Sequence, residues 1–154
     1  MRLALYQPDI PQNLGAAIRL AACFGVPLDV IEPCGFPLTD RALKRAALDY
    51  GELARLERHD GFSDFLASPG RTAGRLILIE TDAETILPEF AFQPKDVLIF
   101  GRESAGSAPE VYAAADAKVR IPMVAGARSL NVAMSAAIAL GEAMRQTGAW
   151  ERLK

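Results

Sequence analysis

The 154-residue chain is half hydrophobic, sets 17 Lys and Arg against 19 Asp and Glu, and holds two cysteines and one histidine. That length suits one well-buried domain, expected over 1–154 and in the cytoplasm: no apolar run nears the roughly 20 residues that cross a bilayer, no signal-peptide core precedes Gln7-Pro8-Asp9, and two thiols outside any CxxC pair define no disulfide scaffold. A formal charge of −2 gives no global attraction to nucleic acid, so RNA contact would need a local basic patch.

The first strand is expected at about 2–6 and the first helix at about 14–24. Between them runs Pro8-Asp9-Ile10-Pro11-Gln12-Asn13-Leu14-Gly15, with Asn13 placed to cap the helix and Gly25 placed to stop it in a left-handed turn. Arg19 is the sole charge between Leu14 and Phe24. It either seeks a partner or lies on the solvent face, the commoner outcome for an arginine. A strand at about 26–31 runs into the Pro33-Cys34-Gly35 turn. A helix at about 39–48 then carries Arg41, Lys44 and Arg45 at i, i+3 and i+4, a cationic stripe suited to phosphates and equally the pattern of a solvated face. After a strand at about 53–57, His59 reads as a surface residue, and one histidine without clustered cysteines supports no metal site. A helix at about 62–67 and a flexible-looking loop, residues 68–74, lead to a strand at about 75–80.

Two apolar runs then stop at turns. Val97-Leu98-Ile99-Phe100, in a strand at about 95–100, empties into Gly101-Arg102-Glu103-Ser104-Ala105-Gly106; Val119-Arg120-Ile121-Pro122-Met123, around a strand at about 118–121, leads to Arg128-Ser129-Leu130-Asn131. Such runs read as buried strands of a parallel sheet, whose ligands bind beyond the strand carboxyl ends, so both turns are expected to line one pocket. The first turn has the GxxxxG spacing of a phosphate-cradling loop, but Ser107 and Ala108 stand where that loop needs Lys and Ser/Thr. It also misses the hydrolase GxSxG by one residue, which leaves Ser104 a poor nucleophile. What remains is a turn whose glycines permit close backbone approach while Glu103 offers a carboxylate to an arginine or to ligand hydroxyls; a plain strand-to-helix turn with a surface Glu is the alternative. Helices at about 109–115 and 131–146 follow the two strands, Asn131 capping the second and Gly148 stopping it. A plain cap explains Asn131 but not the long Pro122 to Leu130 excursion before it. The alternation as a whole predicts an α/β fold, a mostly parallel sheet with helices on both faces.

The pieces PDIPQNLGAAIRLA, IEPCGF, KRAALDYGEL, LIFGRESAG and RIPM…RSLNVAMSAAIAL resemble the motifs of the SPOUT superfamily of RNA methyltransferases, and within it the tRNA (cytidine/uridine-34)-2'-O-methyltransferase family. They span nearly the whole chain in the family's order; the departure is Gly106-Ser107-Ala108-Pro109, where the family more often has Gly, an apolar residue and Pro. The resemblance implies a C-terminal deep trefoil knot, S-adenosylmethionine held in the knotted loops, an obligate homodimer, and methylation of the wobble ribose of leucine tRNAs. Carried over residue by residue, the cofactor would be held by Ile79, Gly101, Ile121, Met123, Ser129 and Leu130, with Glu103 beside them. Asn13, Arg19, Ser129 and Asn131 match catalytic positions, and Arg19 would meet the partner subunit's pocket near Glu103.

Methyl transfer to a ribose hydroxyl is an in-line displacement in which positioning is the larger task, and a guanidinium is a poor base, so Arg19 is expected to orient and to stabilise charge. Arg41, Lys44, Arg45 and Arg128, with Arg102, are the candidates for phosphates of an unpaired anticodon loop. Two alternatives stay open: a ribose methyltransferase acting on another tRNA position or on rRNA, and a nucleotide-binding regulatory module without turnover. A nicotinamide-dependent oxidoreductase is weaker, since no GxGxxG follows the first strand.

Overall fold

Alternate residues of the central strands face opposite ways, and each face has a core of its own. In the computed structural model, which describes residues 1–39, 50 and 53–153, the order is β1 (Arg2–Tyr6), α1 (Pro11–Phe24), β2 (Leu28–Ile31), β3 (Leu56–His59), α2 (Phe62–Ala67), α3 (Pro69–Thr72), β4 (Leu76–Ile79), β5 (Thr85–Ile86), β6 (Val97–Phe100), α4 (Pro109–Ala114), β7 (Ala117–Arg120) and α5 (Val132–Gln146). The seven strands form one sheet, ordered β3-β2-β1-β6-β4-β7-β5, and every pairing is parallel. Leu3 lies opposite Leu28 on one side and Leu98 on the other, a register that lines like faces up across the sheet. Leu3, Leu5, Ile77, Ile79, Leu98 and Phe100 pack against Leu14 and Ile18 of α1 and Ala136 and Leu140 of α5. Ala4, Tyr6, Leu76, Leu78 and Ile99 pack on the other face against Phe62 and Phe65 of α2 and Val111 of α4. Helices therefore cover both faces, as the alternation requires.

Several elements differ from the sequence reading. Asn13 does not cap α1: Pro11, which lacks an N–H, starts that helix three residues earlier than expected with Ile10 at the cap, so Asn13 falls inside it. Residues 69–72 of the expected loop form α3, capped by the Ser68 hydroxyl accepting from Arg71 N–H. His59 is buried, not superficial. Its register partner in β2 is Ile31, which places it on a covered face, edge-on to Phe65 at 5.4 Å and with Nε2 2.8 Å from Asp29 Oδ1. Asp29, fully buried, is gripped in turn by Arg2 through Nε at 2.8 Å and Nη2 at 2.9 Å. Gly25 and Gly148 do adopt the left-handed stops, with φ of 61° and 67°. The expected helix at 39–48, with Arg41, Lys44 and Arg45, falls from residue 40 onward outside the described residues.

At the amino ends of β4 and β6 the backbone is packed without slack. A Cβ on Gly74 would lie 1.8 Å from the Lys95 carbonyl oxygen and 2.5 Å from its carbon. Gly74→Ala is therefore expected to destabilise the fold by about 3 kcal/mol, as overpacking against backbone does. Urea unfolding that leaves the midpoint unchanged would contradict this.

Candidate active site

A cavity of about 440 Å³ opens at the carboxyl ends of β4, β6 and β7. Ligand crevices of parallel sheets sit at this end of the strands. Both late turns reach it: Gly101, Arg102, Glu103 and Gly106 from the first, Ser129, Leu130 and Asn131 from the second. Ile79 closes β4 against it, and Ile121 and Met123 line it from the segment after β7. Every residue expected to hold the cofactor is thus on one cavity wall. Volume and mixed lining fall within the range of small-molecule sites.

Polar side chains knit the wall together. Glu103 accepts from the Asp9 backbone N–H at 2.7 Å through Oε2 and from Asn13 Nδ2 at 3.1 Å through Oε1. Its carboxylate is therefore held by neutral donors, whereas the sequence left an arginine partner open. Asn131 donates to Asn13 Oδ1 at 2.7 Å, while its own Oδ1 accepts from Ala133 and Met134 N–H at 2.9 and 3.3 Å, the cap of α5. One relay, Glu103 to Asn13 to Asn131, spans α1 and both turns. The first turn closes on itself, Arg102 N–H to Gly106 O at 2.9 Å and Gly106 N–H to Arg102 O at 2.8 Å, and Pro109 then starts α4. At the departure from the family pattern, Ser107 folds back on Gly101, and its buried Oγ has no hydrogen-bond partner among the described residues.

The electrostatics are lopsided. Arg102 pairs with Asp9 at 2.9 Å, and the guanidinium together with the Ser104 donors holds the Asp9 carboxyl below the usual carboxylate range. Glu103 and Glu80 also line the cavity, so among the described residues two carboxylates face it against one guanidinium that Asp9 already neutralises. Such a wall favours a cationic ligand. Cys34 supplies no nucleophile: burial pushes its thiol up to about 11, protonated at neutral pH.

Two expected residues stand apart, and a third is already engaged. Arg19 lies on the exposed face of α1 and is absent from the cavity wall; its guanidinium sits 5.3 Å from the Tyr50 ring centroid. Arg128 is exposed on the segment before Asn131. Arg102 is tied to Asp9 and to Gln7 Oε1, at 3.4 Å, and is not a free phosphate ligand. Sequence reasoning missed Ile10, Glu80 and Thr81 of the wall. Glu80 had a readable signal, as the first polar residue after a four-residue apolar strand.

Residues 1–141 match the SpoU rRNA Methylase family. A tRNA (cytidine(34)-2'-O)-methyltransferase of Beijerinckia indica subsp. indica is 52% identical over 147 residues, 96% of this chain and 92% of the relative. One of the same name from Escherichia coli (strain K12) is 37% identical over 150 residues, 96% and 94% of the two chains. A structure solved in a study of the 2-OH methylation of C/U34 on tRNA superposes with a TM-score of 0.86 at 44% identity, over 94% of each chain. The SpoU methyltransferase AviRb from Streptomyces viridochromogenes, in complex with the cofactor AdoMet, gives 0.83 at 26% identity over 95% of this chain and 60% of that one.

Proposed function

The chain belongs to the SpoU rRNA Methylase family, and from that premise we propose that it methylates the ribose 2'-hydroxyl of nucleotide 34, cytidine or uridine, in leucine tRNAs, with S-adenosylmethionine as donor. The observation that carries this reading is the cavity where both late turns meet beneath the Glu103–Asn13–Asn131 relay. Its wall fits the donor: Ile79, Ile121, Met123 and Leu130 offer apolar surface to a purine, Gly101 allows close backbone approach, and the negative balance suits a sulfonium. When bound, the donor supplies an electrophilic methyl group. The chain's own part is to place the acceptor. Glu103, fixed by two donors, and Ser129 are the groups within the cavity for ribose or cofactor hydroxyls, while Asn131 holds Asn13 in register.

The strand order supports the knot. β4 lies between β6 and β7 with β5 beyond β7, so the chain passes the place of β7 twice, going to β5 and returning to β6, before β7 fills it. A homodimer is supported by Met134 and Ile138, 59% and 41% exposed one turn apart on α5, and by Leu130, 41% exposed beside the cavity. α1, which carries Arg19, packs on α5, so a partner seated there would bring Arg19 to its pocket.

The deciding experiment incubates the protein with donor and with tRNA and rRNA from a strain lacking the gene, then maps the modified nucleoside by mass spectrometry. Methylation at position 34 of leucine tRNAs supports the proposal; methyl in rRNA or elsewhere in tRNA overturns it, and donor binding without transfer points to a regulatory module. Asn131→Asp keeps the capping oxygen but cannot donate to Asn13. It is expected to retain stability while turnover falls about 10-fold or more, whereas Asn131→Ala also loses about 1 kcal/mol as a missing cap. Wild-type turnover in both would exclude Asn131 from the site. Affinity for tRNA is expected to fall with salt, less steeply in an Arg41/Lys44/Arg45 triple-alanine variant, and a salt-independent affinity would remove the basic stripe from the RNA surface.

A further inference from the structure

Asp9 lies in the loop between β1 and α1 and is not part of the cavity wall, yet it makes more contacts to the glycine turn than any cavity residue described above. Its carboxylate accepts from Arg102 Nη2 at 2.9 Å, from the Ser104 backbone N–H at 3.1 Å and from the Ser104 hydroxyl. Its own backbone N–H donates to Glu103 Oε2 at 2.7 Å. One residue thus grips both neighbours of Glu103 and the Glu103 carboxylate itself. The grip is set from behind. Gly35 N–H donates to Pro8 O at 2.9 Å, and a Cβ on Gly35 would come within 2.9 Å of Asp9 Oδ1 and 3.0 Å of Asp9 Cα. On the other side Gln7 takes a left-handed φ of 48°, rare for a residue with a side chain and held here by its N–H to Ile31 O at 2.9 Å. A loop fixed at both ends, with its carboxylate spent on the turn, is the arrangement that pre-sets a neighbouring group.

We propose that Asp9 is a positioning residue for the methyl transfer proposed above, setting the orientation of the Glu103 carboxylate through Arg102, Ser104 and its own backbone N–H. The proposal rests on that functional reading and goes beyond it by assigning a role to a residue outside the cavity. The chemistry of the grip is acceptor-only: three donors converge on two oxygens. In Asp9→Asn one oxygen becomes an NH2, which must face a donor, so one arm opens whichever way the amide turns.

The test measures Asp9→Asn and Asp9→Glu beside wild type. For Asp9→Asn, kcat on tRNA is expected to fall about 10- to 100-fold, with the calorimetric stoichiometry of S-adenosylmethionine unchanged and its Kd within about threefold. Asp9→Glu, which retains two acceptor oxygens, is expected to recover to within about fivefold of wild type. Gly35→Ala, which alters no polar group but displaces Asp9, should lower kcat in the same way. In the 1H–15N spectrum the Asn13 side-chain amide, bonded to Glu103 in wild type, should shift in Asp9→Asn. Wild-type kcat in Asp9→Asn overturns the proposal, and so does lost cofactor stoichiometry or a failure of Asp9→Glu to improve on Asn, since either marks a structural role. If wild type itself transfers no methyl to tRNA, the methyltransferase reading fails instead. The Asn13 amide then decides alone, and an unmoved resonance overturns the role of Asp9.

Discussion

Arg19→Ala is expected to lower methyl transfer by about 10²- to 10³-fold, the cost of removing one group that stabilises developing charge, while the Kd for S-adenosylmethionine stays within about threefold. Arg19 is outside the cavity wall, and among the described residues its guanidinium meets only the Tyr50 ring. Asn13, on the same helix, is buried and reaches Glu103. Six residues along a helix leave the two side chains about 120° apart and about 9 Å apart along its axis, so one protomer does not turn both toward one cavity. Arg19 is therefore expected to act on the cavity of a second subunit. A mixture makes this visible: inactive Arg19→Ala combined with inactive Glu103→Gln should regain about a quarter of wild-type activity, because half of the dimers are mixed and each holds one intact site. No regain, with the variants shown to exchange, would make Arg19 either a group acting within its own protomer or a surface residue. Equal loss of turnover and cofactor binding would make it structural.

The cavity was half readable in the residues. The runs at 97–100 and 119–123 each end at a turn, so the shared cavity at their carboxyl ends was legible in the residues; only the first is a fully buried strand, for β7 stops at Arg120 with Val119 alone of its residues buried. Asn131 was legible as a cap because capping is local. The contacts that give the site its order are not local. Asp9 and Ser104 are 95 residues apart, Asn13 and Asn131 118. No periodicity connects such pairs; only the strand order brings β1 beside β6 and lets the two loops meet. His59 failed for the same reason: its neighbours Glu57 and Arg58 are polar, and the Asp29 that makes burial tolerable lies 30 residues away. β5, two residues long, is too short for any pattern to announce.

Gly101→Ala should weaken S-adenosylmethionine by about 100-fold or more, and a comparison with Gly74→Ala separates binding from folding. A Cβ on Gly101 would lie 2.4 Å from Ser107 Oγ, 2.6 Å from Gly106 C and 2.7 Å from Ser107 N. The hydroxyl can rotate away, but the two backbone atoms cannot. They belong to a turn closed by the paired Arg102 and Gly106 hydrogen bonds, so the turn has to move as a unit. Glu103 moves with it, away from the Asp9 N–H and Asn13 that orient it. Gly74 sits at the opposite, amino end of the same sheet, where its clash with Lys95 touches no cavity residue. Gly74→Ala should therefore lose stability and, in its folded fraction, bind as wild type does. Gly101→Ala should lose binding with a smaller loss of stability, since the turn is free to shift toward the open cavity. Adding Ser107→Gly relieves only the hydroxyl contact, so the double variant is expected to stay impaired. Full affinity in Gly101→Ala, or full rescue by Ser107→Gly, would mean that the cofactor does not depend on the backbone of this turn, and the cavity would lose its claim to the methyl donor.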